Sequence, residues 1–253
     1  EADIGNSGKY PTVTAAQNLI AENNALISGD DRPRFVLVPG DLTYADESGI
    51  STQVDTHFND VMVWSRTAAY MAIWGNHEWG STVDGMDEYE GRFDFPNSQT
   101  SPGAPSNGGP AEDWYWFDYG NIRFIAYPEP YKTVTWTNWS TKVDPIMSAA
   151  QSDPMIAFII TFGHRPAYST GTHPSNGSST AAKLAGIINT LQGKYGKYRL
   201  NINGHSHNYE RTCPIKLSGE SPVCTTTADG VIHITSGAGG ADACAGRAVR
   251  LHD

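Results

Sequence analysis

The chain has 253 residues, enough to bury one large core, and carries 17 Lys and Arg against 27 Asp and Glu, a formal net charge of −10. Basic residues so few and scattered argue against nucleic acid or an anionic membrane as partner, and no apolar run approaches the roughly 18 to 20 residues of a membrane span. One soluble domain over residues 1–253 is expected.

Glu1-Ala2-Asp3-Ile4-Gly5 opens with almost nothing before an aspartate that would end a strand, so the first strand is expected to be truncated. From Pro11 to about Ser28, Val13, Ala16, Leu19, Ile20, Leu26 and Ile27 recur at helical spacing, with Gly29 as the stop. Arg34 to Pro39 is an apolar, β-branched run that ends in Gly40-Asp41, the way a buried strand delivers a carboxylate to the end of a sheet. Thr52 to Arg66 predicts a helix, and Tyr70 to Trp74 a strand that ends in Gly75-Asn76-His77-Glu78. Such alternation implies parallel strands with right-handed crossovers and a site at their carboxyl ends.

Residues 80–112 are dense in Gly and Pro and predict an irregular excursion on the substrate side. Trp114 to Tyr119 and Asn121 to Tyr127, around Tyr119-Gly120-Asn121, predict an antiparallel hairpin and so a mixed sheet. A helix over Asn138 to Ala150 follows, then a buried strand from Met155 to Phe162 that ends in Gly163-His164-Arg165-Pro166. Ser179 to Leu191 predicts a helix, and Tyr198 to Ile202 a strand that ends in Gly204-His205-Ser206-His207. Val231 to Thr235 is one more strand. Cys213 and Cys224 flank a Pro-, Ser- and Thr-rich loop that a disulfide could close, leaving Cys244 unpaired; the alternative is three free thiols. With glycosylation sequons at Asn138 and Asn176, the composition leans towards a secreted or periplasmic protein.

The strand ends therefore present Asp3, Asp41 with Tyr44, Asn76 with His77, His164, and His205 with His207, each beside a glycine. One such residue alone would be a helix cap or a satisfied structural side chain. Their succession points instead to metal ligation, because two carboxylates, a phenol, an amide oxygen and three imidazoles without a thiolate form a mixed hard and borderline donor set. A phosphate-bearing substrate would need positive charge that the side chains do not supply and a metal cluster would. His57, His233 and His252 sit in no motif and are read as structural.

These blocks, Asp3-Ile4-Gly5, Gly40-Asp41-Leu42-Thr43-Tyr44, Gly75-Asn76-His77-Glu78, His164-Arg165-Pro166 and Gly204-His205-Ser206-His207, resemble in order the pattern of the calcineurin-like metallophosphoesterases, and within them the purple acid phosphatases. Most other relatives carry a ligating His where this chain has Gly5, and Tyr44 would take over the lost coordination. The resemblance implies a four-layer αββα sandwich with mixed sheets and a dinuclear site at the strand carboxyl ends. Carried over by motif, Asp3, Asp41, Tyr44 and His207 would hold Fe(III), and Asp41, Asn76, His164 and His205 a divalent ion (Zn, Mn or Fe), with Asp41 bridging. The implied reaction is acid hydrolysis of small phosphate monoesters by a metal-bound hydroxide. His77 and His173 are the acid candidates, and Glu78, Asp46 and Arg211 would orient the shell. A phosphodiesterase or nucleotide phosphohydrolase on the same site is the alternative, and a non-catalytic metal-binding module the third reading.

Overall fold

In the computed structural model, which describes residues 1–48, 52–79, 89, 91–104 and 112–241, the strand that delivers Asp41 is β1 (Phe35–Pro39). It pairs in parallel with β2 (Ala69–Ile73), so Gly40 and Trp74 leave the two strands side by side. Helices α1 (Thr12–Leu26) and α3 (Thr52–Ser65) cover one face of this pair. Trp64 of α3 stacks on Tyr70 of β2 at 5.4 Å between ring centroids and donates its indole N–H to Gln17 of α1 at 2.7 Å. Two single-turn helices, α2 (Ala45–Ser48) and α4 (Asn76–Trp79), begin directly after the strand-end turns.

The second sheet runs β3 (Trp116–Tyr119), β4 (Ile122–Ala126), β5 (Phe158–Phe162), β6 (Tyr198–Asn203), β10 (Ile232–Ser236), β7 (Tyr209–Arg211). Its middle is parallel and both edge pairs are antiparallel, the expected hairpin at 116–126 included. Phe35 of β1 meets Phe117 and Phe124 edge-on at 5.4 and 5.2 Å, which packs the two sheets face to face. On the far face lie α5 (Thr135–Ser152) and α6 (Ser179–Lys194). Trp139 of α5 is fully buried with its N–H on Ala126 O, and Leu184, Ile188 and Leu191 form the buried stripe of α6. The layers are therefore helices, sheet, sheet, helices.

The structure moves several boundaries. β5 starts at Phe158, not Met155, because Asp153 accepts the N–H groups of Met155 (2.8 Å) and Ile156 (3.2 Å) in a turn that leaves Met155 exposed. Helix α5 starts three residues earlier than expected, at Thr135, and ends two later, at Ser152. The loop expected between Cys213 and Cys224 is a hairpin, β8 (Ile215–Ser218) and β9 (Ser221–Cys224), turned at Gly219, whose φ of 65° a glycine adopts without strain. Cys213 and Cys224 are bonded across it. The Asn176 sequon is exposed in a turn, whereas Asn138 sits half-buried in α5. Cys244, His252 and residues 80–88, 90 and 105–111 of the expected excursion lie outside the described residues. Among the described residues no helix is long and apolar enough to cross a membrane.

Candidate metal centre

The carboxyl ends of β1, β2, β5 and β6 converge, and the turns that follow them carry most of the polar side chains singled out in the sequence. The amino-terminal segment closes the ring. Ala2 N–H bonds Ser236 O of β10 at 2.9 Å, while Asp3 and Ile4 N–H bond Gly40 and Asp41 O at 3.1 Å, so Asp3 is wedged between the two sheets and fully buried.

Five non-glycine residues among those described have positive φ, and four of them are here: Asp3 (56°), Asp41 (51°), Tyr44 (56°) and His205 (69°). Left-handed backbone costs a tyrosine or histidine of the order of 1–3 kcal/mol and persists only where the surroundings over-determine it, as functional sites do. Gly40 and Gly75 make the close approach possible. A Cβ on Gly40 would meet His164 Nδ1 and Gly75 N, each at 2.8 Å, and one on Gly75 would collide with the Asp41 carboxylate. Glu78, fully buried, ties the two turns together by accepting the N–H groups of Asp41 (2.9 Å), Leu42 (2.8 Å) and Gly75 (2.7 Å).

Two groups of donors result. In the first, Tyr44 Oη lies 2.9 Å from His207 Nε2, 3.3 Å from Asp3 Oδ1 and 3.4 Å from Asp41 Oδ2. In the second, His164 Nε2 lies 3.1 Å from Asp41 Oδ2, from Asn76 Oδ1 and from His205 Nδ1. Asp41, His164 and His205 each offer a ligand atom within 4.8 Å of the others. Asp41 Oδ2 belongs to both groups.

With His164 neutral, the second group holds a conflict. His164 Nδ1 lies 3.0 Å from Pro39 O, a carbonyl to which it must donate, so Nε2 of the neutral ring would point a lone pair at two acceptor oxygens. A cation between them removes the conflict, and an ion about 2.0–2.2 Å from each ligand sets tetrahedral neighbours about 3.3–3.6 Å apart, close to the spacing found. With protein groups only, a second proton does the same work. Burial opposes it, but the Asp41 charge beside His164 pushes its pKa up to about 10. Burial also pushes the Tyr44 phenol far above its ordinary range, and the Asp3 and Asp41 carboxylates push it further, so ionised Tyr44 requires a strongly positive partner. Burial likewise raises Asp3, though the His207 hydrogen bond opposes it. Asp41 is held well below the usual carboxylate range; His164 and His77 overcome its burial. Burial and the neighbouring His164 and Arg165 push His205 down to about 2, keeping that ring neutral and able to ligate. The donor set thus fits two ions that share one carboxylate.

His77 and His173 flank the centre. His77 Nδ1 bonds Asp46 at 2.9 Å, its ring packs 4.1 Å from Tyr44, and its Nε2 lies 3.9 Å from Asp41 Oδ2. Burial would lower it, but Asp46 and Asp41 raise its pKa to about 9. His173 stacks on His205 at 4.4 Å and borders a cavity of about 260 Å³ with Arg165, Ser175 and Ser178. Arg211, expected to orient the shell, is exposed on edge strand β7 and makes no side-chain hydrogen bond or ion pair among the described residues. His57 and His233 are buried structural residues, as expected.

Two polar groups escaped the sequence reading. Arg165 places its guanidinium against Asn76 and His205, which corrects the expectation that side chains supply no positive charge there. Glu129, buried three residues past β4, holds it at 2.9 Å. Both could have been found, Arg165 inside the His164-Arg165-Pro166 block and Glu129 by the same strand-end rule.

Comparison with known proteins agrees with this geometry. The calcineurin-like phosphoesterase family pattern matches residues 2–209. The chain is 31% identical over 222 residues to the Arabidopsis thaliana protein named probable inactive purple acid phosphatase 27, covering 79% of this chain and 34% of that protein. It is 29% identical over 231 residues to the nucleotide pyrophosphatase/phosphodiesterase of Hordeum vulgare, covering 85% and 60% respectively. The chain thus spans only part of the length of these relatives. The structure of purple acid phosphatase PPD1 from yellow lupin (Lupinus luteus) seeds shares the fold, with a TM-score of 0.68 at 22% identity over 94% of this chain and 43% of that one. By its matched sequence pattern, its layers and its donor-lined strand ends, this chain belongs to the calcineurin-like phosphoesterases, a family of dinuclear metal-dependent phosphoesterases.

Proposed function

We propose that this protein is an acid phosphatase that hydrolyses small phosphate monoesters at an Fe(III) ion beside a divalent ion of Zn, Mn or Fe. The observation that carries the reading is the pair of four-donor groups sharing Asp41 Oδ2, one of them containing the Tyr44 phenol. Asp3, Asp41, Tyr44 and His207 would hold the ferric ion, and Asp41, Asn76, His164 and His205 the divalent one. When bound, such ions lower the pKa of water and neutralise charge on the phosphoryl oxygens, which sustains hydrolysis in acid, at about pH 5 to 6. The residues of the chain do the rest. Glu78 fixes the turns that carry Asp41 and Asn76, and Asp46 orients His77 against the cluster. His173, which stacks on His205 and borders the cavity, would protonate the departing oxygen. The disulfide and the exposed Asn176 sequon support secretion or a periplasmic location.

A second reading, a phosphodiesterase or nucleotide phosphohydrolase, is favoured by the name of the barley relative. Turnover of an aryl monoester and of a bis-aryl diester by metal-loaded protein in acid separates the two. Faster monoester hydrolysis is expected, and faster diester hydrolysis would install the second reading. Both ions bound without turnover of either ester would make the chain a non-catalytic metal module; the names of two Arabidopsis relatives carry the words "probable inactive".

A further inference from the structure

Among the described residues, Arg165 is the only permanently charged one lining the cavity beside the metal centre. Its guanidinium is oriented from behind by Glu129, which is 1% exposed and accepts Arg165 Nε at 2.9 Å and Trp79 Nε1 at 3.3 Å. The two forward nitrogens face the divalent-side donors: Nη2 donates to Asn76 Oδ1 at 3.2 Å, and Nη1 lies 3.0 Å from His205 Nε2. The second contact conflicts with metal binding. His205 turns Nδ1 towards His164 Nε2, at 3.1 Å, so Nδ1 is the nitrogen that would ligate and Nε2 would then carry the ring proton. Nη1 and Nε2–H would both be donors, and Nη1 would be left in need of an acceptor at the mouth of the cavity.

A phosphate monoester supplies one. Its dianion has three non-bridging oxygens that share the negative charge, so one could accept from the guanidinium while ions held by the two donor groups would neutralise charge on the others, whereas in a diester one of the three is esterified and uncharged. We propose that Arg165 is a substrate-contacting residue that grips one of these oxygens and so favours monoesters over diesters, with Glu129 as its positioning residue. The proposal rests on the phosphoesterase reading above and adds to it the residue that sets ester class.

The test uses metal-loaded wild type, Arg165→Gln, Arg165→Lys and Glu129→Gln, with metal content measured on each. For Arg165→Gln, kcat/KM on an aryl monoester should fall about 10²-fold, the size seen for loss of one transition-state donor, while kcat/KM on a bis-aryl diester should change less than about threefold. Inorganic phosphate, titrated calorimetrically, should bind at least about tenfold more weakly with metal content unchanged. Arg165→Lys should recover part of both losses, and Glu129→Gln should show the same selective pattern at smaller size. Equal losses on the two esters, loss of metal with the arginine, or unaltered phosphate affinity would each overturn the proposal. If wild type hydrolyses neither ester, the phosphatase reading fails by itself, and the phosphate titration still decides whether Arg165 grips a phosphoryl group.

Discussion

Tyr44 carries the most discriminating chemistry at the scale of single residues. Its phenol has an ordinary pKa near 10, pushed higher here by burial and by Asp3 and Asp41, so in acid only bonding to a highly charged ion ionises it. A tyrosinate bound to ferric iron absorbs visible light, so iron-loaded protein should be pink to purple and Tyr44→Phe should bleach it while the divalent ion stays bound. An unchanged visible band in Tyr44→Phe would remove the tyrosine from the centre. Between the two histidine candidates, His173 borders the cavity that Arg165 and His205 also line. His173→Ala should therefore lower turnover by roughly 10²–10⁴ with both metals retained. A rate within about twofold of the parent would transfer the proton-donor role to His77, which Asp46 already orients.

The decisive elements are turns rather than the strands that precede them, because Glu78 couples the turn after β1 to the turn after β2 through three backbone hydrogen bonds. Glu78→Gln replaces one acceptor oxygen by an N–H donor facing another donor, an unsatisfied buried group that costs about 1–3 kcal/mol. Because Asp41 is common to both donor groups, the variant should lose occupancy of both ions together; loss of one ion alone would contradict the shared carboxylate. The strand-end blocks were legible in the sequence because each is local: an apolar run, a glycine and a polar group within a few residues. The hairpin of β8 and β9 was not, since β9 is exposed throughout and Ile215 alone is buried in β8, leaving no apolar alternation to read. The start of β5 was misjudged for the opposite reason: Met155 and Ile156 look apolar, but Asp153 captures their N–H groups. Arg165 and Glu129 each stand at a strand end, but their pairing joins residues 36 apart, and that long-range contact is what no local pattern announces.

For the molecule as a whole, stability and activity should pull in different directions with pH. His233 is fully enclosed, and burial pushes its pKa down to about 3 from the ordinary 6.5. Below pH 6.5 the unfolded chain takes up a proton that the folded chain refuses, so this residue's contribution is present above that pH and is lost as pH falls towards 3, by about 1.4 kcal/mol per unit. His233→Gln should thus be less stable than the parent at neutral pH, and the gap should narrow by that slope in acid. Denaturant titrations at pH 8 and pH 5 check it, and a gap that stays constant would mean that His233 already carries a proton when folded. The centre itself is an interior built from both halves of the chain, Asp3 sealing the ends of β1 and β10 and His205 and His207 arriving from β6. The most direct measurement is elemental analysis of native protein together with its visible spectrum. Two ions per chain, one of them iron with a visible tyrosinate band, are expected; a single ion per chain, or two ions including oxidised iron in a colourless protein, would contradict the paired site with its phenolate ligand.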